Sequence, residues 1–120
     1  MKKSNYHTGH FAEKIALLWL ILKGYTPVHI NYVTGRGTGA GEVDLIMKRR
    51  SVLIFVEVKK RQDLITSAEA ITQKNQHRVA RAAETFLKNH PRYQNYTIRF
   101  DAILFDKGFL PHHIQDAWRL

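Results

Sequence analysis

The sequence predicts a single α/β domain over residues 1–120, with a mixed central β-sheet flanked by helices. Three observations lead to this fold class. A helical apolar pattern comes first, several strand-like apolar runs follow it, and a second helical segment separates those runs from a further strand. This order is typical of layered α/β domains. The chain has 120 residues and no cysteine, so we expect one core without disulfide bonds, thiolate metal sites or a cysteine nucleophile.

The first predicted element is a helix over residues 10–25, and Gly24 stands where its C-terminal cap belongs. Apolar side chains cover nearly every side of this helix, so we expect it to be deeply buried. Those with the clearest helical spacing are Phe11, Ile15, Leu18 and Leu22. The longest apolar run, residues 15–22, is too short to span a bilayer, and no signal peptide precedes it. We therefore expect a soluble, cytoplasmic protein with no membrane partner.

Three strands are predicted next, over residues 26–33, 42–48 and 52–60. A segment with glycine at every second position from Gly35 to Gly41 predicts a flexible loop between the first two strands. This loop lacks the Gly-Lys-Ser/Thr ending of a phosphate-binding loop. A short basic turn joins the second and third strands into a hairpin.

A long second helix is predicted after the hairpin. The capping-box pattern of residues 66–69 marks its start, it runs to about Asn89, and Pro91 stops it. A fourth strand is predicted over residues 96–105. Residues 110–118 form a short last element whose type the pattern does not decide.

The two most apolar strands each carry an acid, Asp44 in the second and Glu57 in the third. Alternate residues of a strand share a face, so Glu57 and Lys59 point the same way, and Asp44 shares the side of Glu42 and Ile46. We expect the hairpin to bring Asp44 beside Glu57. Two carboxyls and an ammonium group would then meet at one end of the sheet.

Two neighbouring carboxylates repel each other, and this repulsion raises one of their pKa values. A hard divalent cation such as Mg²⁺ or Mn²⁺ removes the repulsion, because one or two carboxylates hold it together with waters and phosphate oxygens. Asp44 and Glu57 are therefore candidate metal ligands, and Lys59 is a candidate to orient a water or stabilise developing charge. The alternative is a salt bridge between Lys59 and one of the two acids.

Glu13 lies in the apolar first helix, where a carboxylate needs a partner. The residues leave the choice open between Lys14 or His10 near the surface and the metal site. Glu42 is expected to be a solvated acid at the end of its strand, and an accessory role at the site is the alternative.

Other polar residues have simpler interpretations. The histidine pair at residues 112–113 has no third zinc ligand at a matching spacing, so we expect surface histidines. Asp101 is expected to be a structural acid that pairs with Arg99 or with another basic group.

The formal net charge of +9 predicts a polyanionic partner, in the first place a nucleic acid. Basic residues of the second helix recur at helical spacing from Lys74 to Lys88 and form one stripe. Such a stripe is usually a solvated face, and the alternative here is contact with phosphates. The candidate phosphate contacts are Lys74, Arg78, Arg81, Arg61, Lys60 and Arg36.

Two blocks, "GEVDLI" followed by "FVEVKKR", resemble the Asp and Glu-X-Lys motif of the PD-(D/E)XK nuclease superfamily. The blocks "AEKIA", "GY", "GEVDLI", "FVEVKKR", a helix with Lys74, and "RFDAI" stand in the order of the small YraN-like bacterial family, which they resemble over nearly the whole chain. Val43 stands where the superfamily signature has a proline.

This resemblance implies a restriction-endonuclease-like core, similar to archaeal Holliday junction resolvases. It implies catalytic roles for Asp44, Glu57 and Lys59, with Asp44 and Glu57 holding the metal. It also matches Glu13 to the first-helix acid of resolvase-like members, which adds Glu13 to the catalytic and metal-binding residues. Resolvase-like enzymes act as dimers, so a homodimer through the apolar first helix is implied as well.

The leading hypothesis is a Mg²⁺- or Mn²⁺-dependent endonuclease that acts on DNA, with branched or repair intermediates as candidate substrates. The alternative is a nucleic-acid-binding module that has the same fold and no cleavage activity. A third hypothesis, a regulatory protein that binds another protein through its basic surface, has no acidic-partner motif in its favour.

Overall fold

The fold is known from a computed structural model, which describes residues 2–35 and 40–119. The helices and strands follow in the order α1 (Lys2–Leu22), β1 (Thr26–Thr34), β2 (Gly41–Arg49), β3 (Val52–Lys60), α2 (Leu64–Glu69), α3 (Gln73–Asn89), a 3-10 turn (Pro91–Tyr93), β4 (Thr97–Phe105) and β5 (His112–Ile114). The five strands form one sheet in the order β1-β2-β3-β4-β5. The neighbours β3 and β4 run parallel in it, and the other neighbours are antiparallel. The predicted α/β class with a mixed sheet flanked by helices is confirmed.

Apolar residues fill the space on both faces of the sheet. On one face α1 packs through Ala12, Ala16 and Leu20, which are almost completely buried. They cover a cluster that we call the α1-side core, formed mainly by Leu45, Met47, Ile54, Val56, Val58, Ile103 and Phe105. On the other face α3 covers the α3-side core, formed mainly by Val43, Ile46, Leu53, Phe55, Val79, Ala82 and Phe86. The sheet is therefore the middle layer of three.

The expectation that α1 is buried on nearly every side was wrong. The side chains of Phe11, Leu18 and Leu22 are 52%, 61% and 86% exposed. Only one side of the helix meets the sheet, and small alanines on that side allow the close approach. The expected glycine cap is present, since Gly24 has a φ of +96° and its N–H donates to the carbonyl of Ile21.

The predicted long second helix is two helices, and its predicted start was wrong. Asp63 caps α2, because its carboxylate accepts a hydrogen bond from the Thr66 N–H at 2.8 Å. Thr72 caps α3 by accepting from the Asn75 N–H at 3.3 Å. The buried Ser67 hydroxyl donates to the carbonyl of Phe105 and ties α2 to the end of β4. Each cap satisfies N–H groups that a helix start leaves unpaired.

The undecided last element contains the short edge strand β5, which pairs with β4. Within residues 2–35 and 40–119, no helix is long and apolar enough to cross a membrane.

Candidate active site

The strand register brings Asp44 and Glu57 together. The β2–β3 pairing runs from Arg49 opposite Val52 to Leu45 opposite Val56, and Asp44 and Glu57 are the next residues of the two strands beyond the last pair. At this point a carboxylate oxygen of Asp44 accepts a hydrogen bond from the N–H of Val58 at 2.8 Å. The Asp44 side chain thus takes up a backbone donor at the point where the two strands stop pairing.

The alternation of side chains along β2 changes phase at Asp44. Val43 packs in the α3-side core and Leu45 in the α1-side core, although residues two apart in a regular strand share a face. The simple alternation that grouped Asp44 with Glu42 and Ile46 therefore does not hold at this point. The irregularity lets the Asp44 carboxyl meet a group from α1 as well as Glu57.

Glu57 and Lys59 share a face of β3, as the period of two predicted. The Lys59 Nζ lies 3.4 Å from a Glu57 carboxylate oxygen, and the two side chains are 21% and 11% exposed. The salt bridge that was the alternative interpretation of Lys59 is thus present. It coexists with the cluster of acids.

Glu13 is the group from α1 that reaches this cluster. Burial raises the pKa of Glu13 to about 7, with a further contribution from the negative charge of Asp44. Asn31 and Asp44 lie close enough to the Glu13 carboxyl to act on its pKa, which Asn31 lowers and Asp44 raises. Of the partners that the sequence left open for Glu13, the acidic cluster is one that lies beside it.

The two strand acids are also held in an environment that disfavours their charge. Burial raises the pKa of Asp44, against the opposing hydrogen bond from the Val58 N–H. Burial and then the charge of Asp44 raise the pKa of Glu57 to about 8, while Lys59 acts in the opposite direction. Three acids whose charged forms are disfavoured at one place are suited to a cation or to shared protons.

The donor set fits a hard divalent cation only in part. Within the part of the chain that the structure describes, no three His, Cys, Asp or Glu side chains are arranged as a group that could hold a metal ion. The three carboxyls instead adjoin in pairs, Glu13 with Asp44 and Asp44 with Glu57. Mg²⁺ keeps several waters and needs only one or two protein carboxylates, so the Asp44 and Glu57 pair supplies the oxygen donors that it takes.

Asn31 is a site residue that the sequence analysis missed. It stands opposite Asp44 on β1, between the pairs Ile30–Leu45 and Tyr32–Val43. Its φ of +54° is a left-handed conformation that asparagine tolerates better than most residues. An asparagine in the middle of a strand, between the strand-favouring residues Ile30 and Tyr32, was the signal that could have found it.

The basic stripe of α3 does not form one free face. Arg78 donates to a carboxylate oxygen of Glu42 at 2.5 Å, and the Arg81 Nε donates to the carbonyl of Ala40 at 3.2 Å. Both contacts join α3 to the start of β2, where a Cβ added to Gly41 would lie 2.5 Å from a backbone nitrogen of α3. The expectation that Glu42 is a solvated acid holds for its exposure, but its carboxylate is paired.

The other candidate phosphate contacts differ in accessibility. Lys74 and Arg61 are exposed. The Lys60 Nζ donates to the carbonyl of Asp106 at 2.6 Å and lies 4.5 Å from the centre of the Phe109 ring. Arg36 lies outside the described residues. Lys74 and Arg61 are therefore the members of the set best able to meet a phosphate.

Asp101 is the structural acid that the sequence predicted. It is fully buried and accepts two hydrogen bonds from Arg99, at 2.8 and 2.7 Å. The ring of His113 and the N–H of Asp116 also donate to it, at 2.7 and 3.0 Å. Burial acts to raise the pKa of Asp101, but these donors outweigh burial and hold the pKa below its ordinary value. His113 was wrongly expected at the surface, since its side chain is only 2% exposed.

Known proteins resemble this chain over most of its length. A family model described as "Uncharacterised protein family UPF0102" matches residues 12–105. The UPF0102 protein amb4503 of Paramagnetospirillum magneticum is 45% identical over 112 residues, which cover 93% of this chain and 87% of the relative. A UPF0102 protein of Nitrobacter winogradskyi is 38% identical over 118 residues, which cover 98% and 97%. A third, from Rhodopseudomonas palustris, is 40% identical over 113 residues, which cover 94% and 81%.

Proposed function

The chain belongs to the uncharacterised protein family UPF0102, and from its acidic cluster we propose that it is a divalent-metal-dependent endonuclease that acts on DNA. The observation that carries the proposal is the pair of facing acids, Asp44 and Glu57, with raised pKa values and with Lys59 beside them. A structural salt bridge needs one acid for one lysine. Lys59 is paired with Glu57 in this way, which accounts for one of the three carboxyls. A divalent metal ion bound at the acidic cluster would supply the positive charge for the other two, Asp44 and Glu13.

The residues have distinct roles in this proposal. Asp44 and Glu57 would hold Mg²⁺ or Mn²⁺, and Glu13 would contribute from α1. Such an ion, when bound, lowers the pKa of a water and neutralises charge on a phosphate. The Val58 N–H holds one carboxylate oxygen of Asp44, and this hydrogen bond fixes the direction of the other oxygen. Lys59 would leave Glu57 to stabilise the charge that develops on the scissile phosphate.

DNA binding in this proposal depends on the basic surface. The net charge is +9, and the exposed Lys74 and Arg61 lie on the segments that follow β3, the strand that carries Glu57. Neutralising phosphates releases counterions, so the affinity for DNA should fall steeply with salt. Branched DNA is the candidate substrate, and a homodimer belongs to the same proposal, both by the resemblance to junction resolvases.

The test is a cleavage screen with labelled single-stranded, linear duplex, flap and four-way-junction DNA, in Mg²⁺ or in Mn²⁺. We expect the wild type to cut at least one of these and Asp44→Asn to cut none. Asparagine keeps an oxygen to accept from the Val58 N–H, so this variant should retain its fold and its DNA affinity. Glu42→Gln is the matched control, because Glu42 is two residues away and exposed; it should cut at a rate close to that of the wild type.

The second candidate is a nucleic-acid-binding module without cleavage. Two observations favour it: the described carboxyls do not form a complete three-ligand metal site, and Lys59 is already paired with Glu57. A binding module should hold DNA equally well with Mn²⁺ and with a chelator. If the wild type cuts no DNA of any shape with either metal, while its DNA affinity ignores the chelator, this second function replaces the first.

A further inference from the structure

A partly open cavity of about 170 Å³ lies on the α3 face of the sheet. The end of α2, the start of α3 and the C-terminal segment surround it. Most of the residues that line it have apolar side chains, with one amide from Gln76 and one indole from Trp118, and polar and apolar atoms contribute about equally to its surface. Ile71, Ala102, Leu104 and Ile114 are among the apolar residues that line it.

The cavity adjoins the candidate active site through the parallel pairing of β3 and β4. Ala102 is the register partner of Glu57, and Leu104 is the register partner of Lys59. Phe55 and Phe100 are partners two residues earlier, and both face the α3-side core. Because the side chains alternate in step on both strands, Glu57, Lys59, Ala102 and Leu104 share that face. Neighbouring strands are about 4.8 Å apart, so the cavity begins one strand away from Glu57 and Lys59.

Trp118 supplies an independent sign that the cavity takes a ligand. Its side chain is 9% exposed and stacks on Phe100, with the ring centres 4.3 Å apart and the planes 20° from parallel. Its indole Nε1 is buried and, among the described residues, is the one buried side-chain nitrogen or oxygen without a hydrogen-bond partner. A buried N–H donor without an acceptor is unfavourable and rare in native proteins. Trp118 lines the cavity, but its Nε1 is closed off from solvent, so an acceptor on a bound molecule would satisfy it only after a small shift of the indole ring.

We propose that this cavity receives one unstacked nucleobase of the strand whose phosphate lies at Glu57 and Lys59. A nucleobase is flat, has apolar faces that suit the alkyl and aromatic walls, and carries carbonyl or ring-nitrogen acceptors on its edge for the Trp118 N–H. Extruded bases are held in this way, by contact with apolar and aromatic side chains and by hydrogen bonds at the edge. The Gln76 amide offers a donor and an acceptor to the same edge.

This inference rests on the proposed function and narrows its substrate. A base inside a continuous duplex must be unpaired and unstacked before it can enter a pocket, at a cost in free energy. An already unpaired nucleotide avoids that cost. The preferred substrates are therefore nucleic acids with unpaired nucleotides near the cleaved bond, such as flaps, gaps, single-stranded ends and open junctions, and intact linear duplex is disfavoured.

The test uses the indole N–H signals in a nitrogen-15 NMR spectrum of the full chain, in chelator and without divalent metal. The chain has two tryptophans, Trp19 and Trp118, and Trp19→Phe assigns them. Adding thymidine monophosphate or deoxyadenosine monophosphate should shift the Trp118 signal progressively until binding is saturated. The signal of Trp19, which lies on α1, should stay in place. Deoxyribose 5-phosphate is the control without a base, and it should move neither signal.

Two variants locate the ligand. Trp118→Phe keeps a ring to stack on Phe100 and removes the N–H, so nucleotide affinity, followed by backbone amide signals, should fall on the order of fivefold. Ala68→Leu adds bulk at an exposed position on the cavity wall and should abolish nucleotide binding without lowering the unfolding temperature. Glu69→Ala, at the neighbouring exposed position, is its control and should bind like the wild type.

The outcomes separate the two proposals. If no nucleotide moves the Trp118 signal, or if the base-free sugar phosphate moves it equally, the nucleobase pocket is refuted, whether or not the protein cuts DNA. If nucleotides bind at Trp118 and no DNA is cut with Mg²⁺ or Mn²⁺, the pocket stands and the nuclease function is refuted. If the protein cuts linear duplex faster than flaps and single strands of the same sequence, the substrate preference inferred from the pocket is wrong.

Discussion

Glu57 lies between two buried valines, Val56 and Val58, which pack in the α1-side core. Its own side chain points to the opposite face and is 11% exposed. The carboxyl therefore has little water to solvate its charge, and the nearest compensating group is one ammonium that Asp44 also attracts. At the level of single residues, the site combines an excess of acids with a shortage of solvent.

The free energy of unfolding should depend on pH through Glu57. Below the unfolded pKa of 4.5 the group is protonated in both states and carries no penalty. As the pH rises from there toward about 8, the unfolded chain ionises while the folded protein keeps the proton, so stability falls. We expect the metal-free protein to be less stable at pH 8 than at pH 5, and the raised pKa values of Asp44 and Glu13 act in the same direction. Urea unfolding at both pH values measures this.

Glu57→Gln removes the ionisable group and should raise stability at pH 8 without metal, while Glu84→Gln at an exposed position on α3 should leave the pH dependence unchanged. Added Mn²⁺ should stabilise the wild type at pH 8 more than it stabilises the Glu57→Gln variant. Equal stability of the wild type at both pH values would show that the carboxyl is not held protonated.

Lys59 should matter more for cleavage than for DNA binding. Lys59→Met keeps the aliphatic stem and removes the ammonium that faces Glu57. We expect cleavage to be lost and DNA affinity to change less than about threefold, because one charge among many phosphate contacts is a small part of the binding free energy. Lys60→Met, whose ammonium is directed to the Asp106 carbonyl instead, is the matched control. Wild-type cleavage by Lys59→Met would leave Lys59 with a structural role only.

How far the sequence predicted the site depends on how local each contact is. The meeting of Asp44 with Glu57 follows from the register that a short hairpin turn sets, which can be read from adjacent residues, whereas the change of phase at Asp44 could not be read in this way. The partner of Glu13 could not be chosen in this way, because it depends on how α1 is rotated on the sheet. Asn31 was missed for the same reason, since its role requires the register of β1 against β2.

At the scale of elements, the break between α2 and α3 shows competition between two caps. The pattern of residues 66–69 satisfies a capping box, but Asp63 lies three residues earlier and caps the helix there. Thr72 then starts a new helix that packs on the opposite face from α1. The buried Ser67 fixes the short α2 to β4. A tertiary contact of this kind leaves no periodic signal in the sequence.

The dependence of DNA affinity on salt should show which basic residues of α3, and of the segment before it, contact phosphates. Lys74 and Arg61 are exposed, whereas Arg78 and Arg81 are engaged with β2 and the residue before it. We expect Lys74→Gln with Arg61→Gln to lower the slope of log affinity against log salt by about two units. Arg78→Gln with Arg81→Gln should lower it by less and should destabilise the fold. Fluorescence anisotropy over a salt series measures both, and a larger loss in the second pair would place the DNA along the length of α3.

At the scale of the whole molecule, the surface has two contrasting regions. Charge is abundant elsewhere, but residues 11–22 of α1 contain only one acid and one base, Glu13 and Lys14. Phe11, Leu18 and Leu22 are exposed there and, at spacings of seven and four, form one stripe along the helix. A chain with a net charge of +9 repels its own copies except where the surface is neutral. The α1 stripe is such a region.

We therefore expect a homodimer in solution that buries the α1 stripe. Sedimentation equilibrium should give twice the chain mass of 14.0 kDa for the wild type. Leu18→Glu places a charge within the stripe and should give the monomer mass, since an exposed glutamate on α1 leaves the core residues Ala12, Ala16 and Leu20 undisturbed. Ile65→Glu is the control, because Ile65 is 73% exposed on α2, away from the stripe, and this variant should remain dimeric. A wild type that stays monomeric at tens of micromolar would show that copies of the chain do not cover α1. A junction cut by such a protein would then require two monomers to bind independently, and its cleavage rate would rise with the square of protein concentration below saturation.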